Sequence, residues 1–126
     1  MTLEEIASAL VGHCKAFTER EALETLYADT AASVEALSYD GRPRETVGKD
    51  GIQGKHDWWA ANMEVTGGET IGPFLHAPDR FAVIFRVQGK DLASGETFDM
   101  EEIGLYTVAE GKIVREEFFN TPFPMD

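Results

Sequence analysis

The N-terminal part of the chain carries apolar residues at helical spacing. Thr2 and Glu5 form a capping box at the start of a first helix, with Thr2 as the N-cap. A second, shorter helix is predicted over residues 19–28. The apolar residues of the first helix recur at alternating steps of four and three, which puts them on one face. That predicted face consists of Leu3, Ala7, Leu10, Cys14 and Phe17.

A short hairpin and a third helix come next. Residues 31–39 are predicted as the first strand, residues 40–43 as a turn rich in Asp, Gly and Pro, and residues 45–47 as a short partner strand. The third helix is predicted over residues 48–63, because four of its residues are spaced by four, three and four and so share a face. Those residues are Ile52, His56, Trp59 and Met63.

From residue 64 onward the period of apolar and polar residues changes to two, which is typical of strands. Gly67-Gly68 and Gly72-Pro73 interrupt the first long strand and predict bulges or bends in it. Pro122 and Pro124 prevent the tail from continuing a central strand. The later strands are predicted over residues 80–88, 97–108 and 112–120.

The loop between the last two strands sets their register. Residues 109–111 end in glycine and are predicted as a three-residue loop, a type I turn with a G1 bulge. The predicted partners are Val108 with Lys112, Tyr106 with Val114, Gly104 with Glu116, and Glu102 with Phe118. One sheet face would then carry Glu102, Gly104, Tyr106, Glu116 and Phe118.

The order of these elements predicts the fold class. Three helices, the third inserted after a first hairpin, precede a long antiparallel meander, which is an α+β arrangement. A curved, mostly antiparallel sheet wrapped around the three helices of the N-terminal half would enclose a cone. The length of 126 residues predicts one domain over residues 1–126.

Composition and charge limit the partners. With 43% hydrophobic and 27% charged residues, the chain is globular. Its net charge of −12 at pH 7 would repel the phosphates of nucleic acid and anionic membranes, so neither is expected as a partner. The acidic start lacks the basic and apolar regions of a signal peptide, and no apolar stretch has membrane-spanning length, so we expect a cytoplasmic protein.

Three short segments, together with the order of elements, resemble the nuclear-transport-factor-two-like superfamily and its SnoaL-like branch. They are Tyr27-Ala28-Asp29 before the first strand, Gly48 at the start of the third helix, and Gly111-Lys112-Ile113 at the start of the last strand. The resemblance implies a cystatin-like α+β roll with a conical pocket, and usually a homodimer through the outer sheet face. It does not imply one activity, because relatives isomerise, cyclise, hydrate, hydrolyse or only bind.

The resemblance also bears on one mechanism of the superfamily. Ketosteroid isomerase uses a carboxylate base on the first strand and a protonated Asp in its oxyanion hole. The resemblance places the base at or near Ala36, the oxyanion Asp at Gly104 and a helix Tyr near Val11. None of these three residues carries the required group, so we expect no ketosteroid isomerase activity.

Two carboxylates on the shared sheet face are the first catalytic candidates. Glu102 and Glu116 would be desolvated there, which raises a carboxyl pKa toward a useful acid–base range. The alternative is that the opposite face is the inner one and that both are solvated. His56 is the third candidate, either as a base near neutral pH or as a hydrogen-bonded core residue. The substrate-binding candidates are Trp59, Phe85, Val87, Tyr106, Phe118 and Asn120.

A metal centre is not expected from this pattern. Acidic residues are frequent near the last two strands, but strand alternation divides them between the two faces, and no His is spaced to complete a site. The acidic residues in question are Asp99, Glu101, Glu102, Glu116 and Glu117.

Two functions fit these candidates. The first is an isomerase-, lyase- or hydrolase-like enzyme that acts on a small apolar or aromatic ligand by general acid–base catalysis without a cofactor. The second is a non-catalytic ligand-binding or dimerisation module of the same fold. If Tyr106 points inward, then Ile103, Leu105 and Phe119 point outward, and this apolar patch predicts a homodimer.

Overall fold

The structure is a computed structural model that describes residues 1–38 and 41–120. The predicted turn at residues 40–43 lies partly outside the described residues, and the tail with Pro122 and Pro124 lies wholly outside them. The elements are α1 (Leu3–Ala16), α2 (Glu19–Leu26), β1 (Tyr27–Val34), β2 (Glu45–Val47), α3 (Lys49–Asn62), β3 (Met63–His76), β4 (Arg80–Asp91), β5 (Thr97–Ala109) and β6 (Lys112–Asn120).

A six-stranded sheet runs through the described part of the chain in the order β2-β1-β6-β5-β4-β3. Its neighbouring strands are antiparallel except for β1 and β6, which run parallel. α1 packs across β3 and β4, and α3 packs on β1. The predicted α+β class, three helices on a curled and mostly antiparallel sheet, is confirmed. None of the described helices is long and apolar enough to cross a membrane.

The hydrophobic core lies between the helices and one face of the sheet. Ile6 and Leu10 of α1 and Ile52 of α3 belong to the same cluster as Phe81 and Ile113 of the sheet, and each is at most 3% exposed. Burying a side chain of this kind stabilises the fold by roughly 1.5–3 kcal/mol. The core therefore holds α1 and α3 on one face of the sheet.

The first strand begins earlier than the sequence pattern predicts. α2 ends at Leu26, and Tyr27 already pairs with Ile113 of β6, so β1 starts four residues before the predicted position 31. Leu23, Leu26 and Tyr27 are all buried, with exposures of 3%, 4% and 6%. Local spacing cannot distinguish the last turn of a helix from the first residue of a buried strand, because the pairing partner is distant in the chain.

Phe17 does not lie on the packed face of α1. It is the C-cap residue in the left-handed region, with φ 58°, and it is 78% exposed. A residue that leaves the helical conformation no longer follows the helical stripe. The buried face instead includes Ile6 and Val11 beside the predicted Ala7 and Leu10.

The predicted register of β5 and β6 is wrong by two residues. The loop is a two-residue type I′ turn, with Glu110 at φ 52° and Gly111 at φ 75°, rather than a three-residue loop. A bulge leaves Val114 without a partner, so Tyr106 pairs with Glu116. Further along, Gly104 pairs with Phe118 and Glu102 with Asn120. Because a shift of two residues returns every side chain to the same face, the predicted face assignment is unaffected.

The glycine interruptions of β3 are confirmed. The register with β4 shifts between Val65 and Gly67 and again between Ile71 and Phe74. The second shift follows from Gly72-Pro73, because Pro73 has no N–H for the ladder and Gly72 has a φ of 137°. The two irregularities let this 14-residue strand bend with the sheet.

Replacing Glu110 with Asn should stabilise the protein. A type I′ turn requires positive φ at both central residues, and Asn tolerates that region far better than Glu. We expect the free energy of unfolding to rise by about 0.5–1 kcal/mol in urea denaturation. Glu110→Ala is the control and should give no such gain. A Glu110→Asn protein no more stable than Glu110→Ala would contradict the turn assignment.

Candidate functional site

The candidate site stands on the inner face of the sheet, which we define as the face carrying Phe81 and Val83 of the core. Three neighbouring cross-strand rows of side chains form it. The first row holds Ser33, Glu116, Tyr106 and Phe81, the second holds Phe118, Gly104 and Val83, and the third holds Asn120, Glu102 and Phe85. The next row pairs Val87 with Met100. Seven of the predicted site residues therefore lie on one face.

Glu116 is a deeply buried carboxylate, with 3% exposure. The alternative that both candidate carboxylates are solvated is therefore wrong for this residue. Burial raises the pKa of Glu116, although hydrogen bonds from the Tyr27 and Ser33 hydroxyls and the nearby Lys55 ammonium act in the opposite direction. Its Oε1 atom has no hydrogen-bond partner among residues 1–38 and 41–120. Glu116 thus forms the deep, polar end of the inner face.

Glu102 lies two rows from Glu116 on the inner face. Burial first, and the carboxylates of Glu35 and Glu116 next, raise the pKa of Glu102 to about 7, while Lys55 lowers it. A carboxyl group with such a pKa exchanges its proton readily at neutral pH. A cavity at the same strand pair is lined by Glu101, Glu102, Ile103, Phe119 and Asn120. Glu101, Ile103 and Phe119 belong to the outer face, so this cavity is not part of the inner-face site.

Lys55 of α3 brings a positive charge to the site. Its Nζ lies 2.5 Å from Oε1 of Glu35 and donates a hydrogen bond of 2.8 Å to Oγ of Ser33. The same atom lies 5.9 Å from the centroid of the Phe118 ring. Ser33 and Glu35, the residue directly after β1, lie on either side of Val34, and both contact the same ammonium group. Lys55 therefore links α3 to β1 over the second row.

Gly104 makes room for the Tyr106 ring. A Cβ at Gly104 would lie 2.9 Å from Cε2 and 3.1 Å from the hydroxyl oxygen of Tyr106, and 3.1 Å from Cε2 of Phe85. Such distances are too short for real side chains, so only glycine allows the Tyr106 ring to lean over the second row. The ring also stacks on Phe81, with centroids 4.9 Å apart. Burial raises the pKa of Tyr106 far above its ordinary value, so the hydroxyl keeps its proton.

The predicted residues of α3 separate in the structure. Trp59 faces the sheet and stacks on Phe98 of β5, with ring centroids 5.7 Å apart, whereas Trp58 is 45% exposed. His56 lies near Glu19 at the start of α2, and burial lowers its pKa. Its Nδ1 has no hydrogen-bond partner among the described residues, and neither candidate carboxylate bonds to it there. Trp59 thus lies against the inner face, whereas no described hydrogen bond joins His56 to it.

Four polar residues of the site were missed by sequence reasoning: Tyr27, Ser33, Glu35 and Lys55. For Lys55 a signal existed, because it follows Ile52 by three residues and precedes Trp59 by four, which puts it on the predicted inner face of α3. The roles of Ser33 and Glu35 depend on the parallel pairing of β1 with β6, which no local pattern reveals. The resemblance places the carboxylate base of ketosteroid isomerase at or near Ala36, which has no carboxylate. Glu35 carries one at the neighbouring position.

The described residues contain no group of three or more His, Cys, Asp or Glu side chains placed to hold a metal ion. The polar groups of the site are its carboxylates, its hydroxyls and its lysine.

The fold agrees with the sequence comparison. The model of the SnoaL-like domain matches residues 1–120, and the chain belongs to this family. The resemblance drawn from the sequence is thereby confirmed. No protein of curated function matches the chain.

Solved structures resemble the whole described fold. A Mesorhizobium loti protein, a candidate SnoaL-like polyketide cyclase, is 39% identical, with 94% of this chain and 99% of that chain covered and a TM-score of 0.88. A Xanthomonas campestris protein of unknown function with a cystatin-like fold is 13% identical, with 97% and 92% covered and a TM-score of 0.75. TerC, co-crystallised with polyporic acid, is 18% identical, with 93% and 89% covered and a TM-score of 0.70. The last two show the common fold alone.

The raised pKa of Glu102 makes a prediction about stability. The folded protein holds this proton more tightly than the unfolded chain, from an ordinary value of 4.5 to about 7. The resulting stabilisation is complete below the ordinary pKa and is lost as the pH rises through the folded pKa. Glu102→Gln imitates the protonated form. Above about pH 8 the free energy of unfolding of this variant should be higher than that of the natural protein by on the order of 2–3 kcal/mol.

Urea denaturation at several pH values measures this difference, which should shrink toward zero near about pH 4. Glu117→Gln is the matched control, because Glu117 lies on the opposite face, 3.3 Å from the Arg115 guanidinium. A gain for Glu102→Gln that does not depend on pH would rule out a desolvated carboxylate at this position.

Proposed function

We propose that this protein is an enzyme that moves a proton on a small apolar substrate by general acid–base catalysis at Glu102, without a cofactor. The observation that carries the proposal is a carboxyl group with a pKa of about 7 on a sheet face lined by aromatic rings. Proton transfer is most efficient when the pKa of the catalytic group lies near the working pH. The reaction would be an isomerisation, cyclisation, elimination or hydrolysis.

The two carboxylates have different environments, which supports different roles for them. Glu116 is buried beneath two hydroxyl groups at the deep end of the face, whereas Glu102 is half-buried. Carboxyl groups whose surroundings separate their pKa values commonly divide acid–base work between them. We assign proton transfer to Glu102 and an electrostatic role to Glu116, because Glu116 is among the groups that raise the pKa of Glu102.

The aromatic residues support a flat or alicyclic ligand. Phe85, Tyr106 and Phe118 surround Gly104, and Trp59 lies against Phe98 further along β5. Ring faces of this kind bind planar apolar molecules by stacking and by excluding water. The complex of TerC with polyporic acid, a ligand of a protein with the same fold, is consistent with this ligand class.

The proposal predicts proton exchange that depends on Glu102. We would incubate the protein in deuterium oxide with aromatic and alicyclic ketones, enones and epoxides and follow deuterium incorporation and conversion by NMR. Glu102→Gln should slow the reaction of any active compound by about 10²- to 10⁴-fold, because a catalytic acid or base is lost. Glu117→Gln, with its outward-facing carboxylate, should leave the rate unchanged.

A β,γ-unsaturated ketosteroid belongs in the same panel as a compound that should not isomerise, because Gly104 and Val11 lack the oxyanion donors of that reaction. Ligands that bind without exchange or conversion, in the natural protein and in Glu102→Gln alike, would favour the alternative of a non-catalytic ligand-binding module. Equal turnover by the natural protein and Glu102→Gln would remove Glu102 from the mechanism.

We propose in addition that the protein forms a homodimer through the outer face of the sheet. One cross-strand row on that face is wholly apolar and consists of Ile71, Ile84, Ile103 and Phe119. Ile103 is 43% and Phe119 is 51% exposed. The next row is charged, with Arg86 paired to Glu69 and Glu101. An exposed apolar stripe beside a polar rim is typical of a protein interface.

Light scattering at micromolar concentration should give the mass of a dimer for the natural protein. Ile103→Glu should give the mass of a monomer, because it places a charge in the middle of the apolar row. Leu92→Glu is the matched control, since Leu92 is 52% exposed in the loop after β4 and lies away from this row. A monomeric natural protein would refute the proposed interface.

A further inference from the structure

A proton taken from carbon leaves a negative charge that needs a partner, and at the usual position of that partner stands the neutral Tyr106 hydroxyl, 3.1 Å from the Cβ position of Gly104. The family resemblance places an oxyanion donor at Gly104, and the space above Gly104 is filled by the Tyr106 ring. The second donor position falls at Val11, which is apolar and 5% exposed. Stabilising the developing charge is commonly the largest contribution to such catalysis. The Tyr106 hydroxyl carries no charge, so a cationic donor from another wall would stabilise the developing oxyanion further.

We propose that Lys55 is this donor, and that the substrates are small apolar carbonyl compounds whose oxygen accepts a hydrogen bond from the Lys55 ammonium group. The inference rests on the proposed proton transfer at Glu102, which would remove a proton beside the carbonyl.

The position of Lys55 fits this role. Its Nζ lies 5.9 Å from the centroid of the Phe118 ring, and Phe118 is the cross-strand partner of Gly104. The ammonium group therefore lies over the row in which the oxyanion donor of the resemblance would stand, but it comes from the helix side. The Lys55 side chain is 26% exposed, so a ligand can reach it.

Lys55 also has a hydrogen-bond donor to spare. An ammonium group has three N–H donors. One is directed to Ser33 Oγ at 2.8 Å and a second to Glu35 Oε1 at 2.5 Å. No acceptor for the third is present among residues 1–38 and 41–120. The two bonds hold the ammonium in place, and a preorganised donor of this kind costs little rearrangement when charge develops.

The charges around Lys55 come from every wall of the site. Ser33 of β1 and Glu35, the residue after β1, contact it directly. Glu102 of β5 and Glu116 of β6 are stabilised in their ionised forms by it, and His56 follows it on α3. The ion pair with Glu35 is neutral as a whole. Glu102 is then the group whose charge changes in the reaction.

The step balances without any further reactant. The Glu102 carboxylate takes the proton from the carbon next to the carbonyl group. The electron pair of the broken C–H bond forms a carbon–carbon double bond, and the π pair of the carbonyl moves onto oxygen, which becomes an enolate held by Lys55. Protonated Glu102 then returns the proton to another carbon of the conjugated system, which completes an isomerisation.

The test uses para-nitrophenol, whose ionised form imitates an enolate oxygen and absorbs visible light. It is added to the Glu102→Gln protein, in which a neutral amide stands for Glu102 after proton transfer. We expect the acid dissociation constant of the bound phenol to be at least about tenfold larger than that of the free phenol, because a cation lies beside its oxygen. Lys55→Met in the same background should abolish this increase, and Lys55→Arg should retain it.

Lys49→Met is the matched control, because Lys49 lies on the same helix but pairs with Asp29 and bonds to the Glu24 carbonyl. It should not change the ionisation. Tyr106→Phe removes the Tyr106 hydroxyl, so it measures separately what this second hydrogen-bond donor contributes to the ionisation. The proposal is wrong if Lys55→Met leaves the increase intact, if Tyr106→Phe alone removes it, or if the phenol does not bind.

If the Lys55→Met protein does not fold, Glu35→Gln tests the same role of Lys55. Phenolate binding should then increase rather than decrease. Freed from its partner carboxylate, the ammonium group should bind the phenolate more tightly, whereas a purely structural Lys55 would give no gain. The probe needs no turnover. If the protein stabilises the phenolate but shows no proton exchange, Lys55 is an anion-binding group and the proposed enzyme activity is wrong. If it shows proton exchange but does not stabilise the phenolate, the proposed role of Lys55 is wrong and the enzyme activity is retained.

Discussion

The parallel pairing of β1 with β6 is the contact on which the candidate site depends. It sets Ser33 beside Glu116 and Tyr27 beside Ile113, and it joins residues near the start of the chain to the last strand. A carboxylate buried without hydrogen-bond donors is strongly destabilising. The Tyr27 and Ser33 hydroxyls supply such donors to Glu116. The same pairing carries Glu35 and, through it, Lys55 of α3 into the site.

The inner face gives chemically identical groups different properties. Glu102 and Glu116 differ in depth and in hydroxyl donors, and these differences separate their proposed roles. Gly104 separates them along the sheet, and the Tyr106 ring covers the gap. Ion pairs involving Arg86 and Arg115 lie on the outer face, so the fold keeps exposed charges and buried charges on opposite sides of the same strands.

The arrangement of faces could be predicted because strand alternation tolerates an error in register. The loop at Glu110 was assigned the wrong length, yet the pairing moved by two residues and Glu102, Tyr106 and Glu116 kept their common face. The helical stripe likewise placed Ile52 and Trp59 correctly. For His56 no described hydrogen bond reaches Glu102 or Glu116, and its place in the site stays a prediction.

By itself, the sequence determined the α+β class, the helices and most strands, the bends at Gly67 and Gly72-Pro73, and the face on which Glu102 and Glu116 stand. These features follow from local periodicity and from residues with restricted backbone conformations. The tertiary structure alone decided that Tyr27 begins a strand, that Ser33 and Glu35 meet Lys55, and that burial brings the pKa of Glu102 to about 7. Each of these depends on contacts between distant segments, and electrostatic effects at a buried group are set by everything that surrounds it.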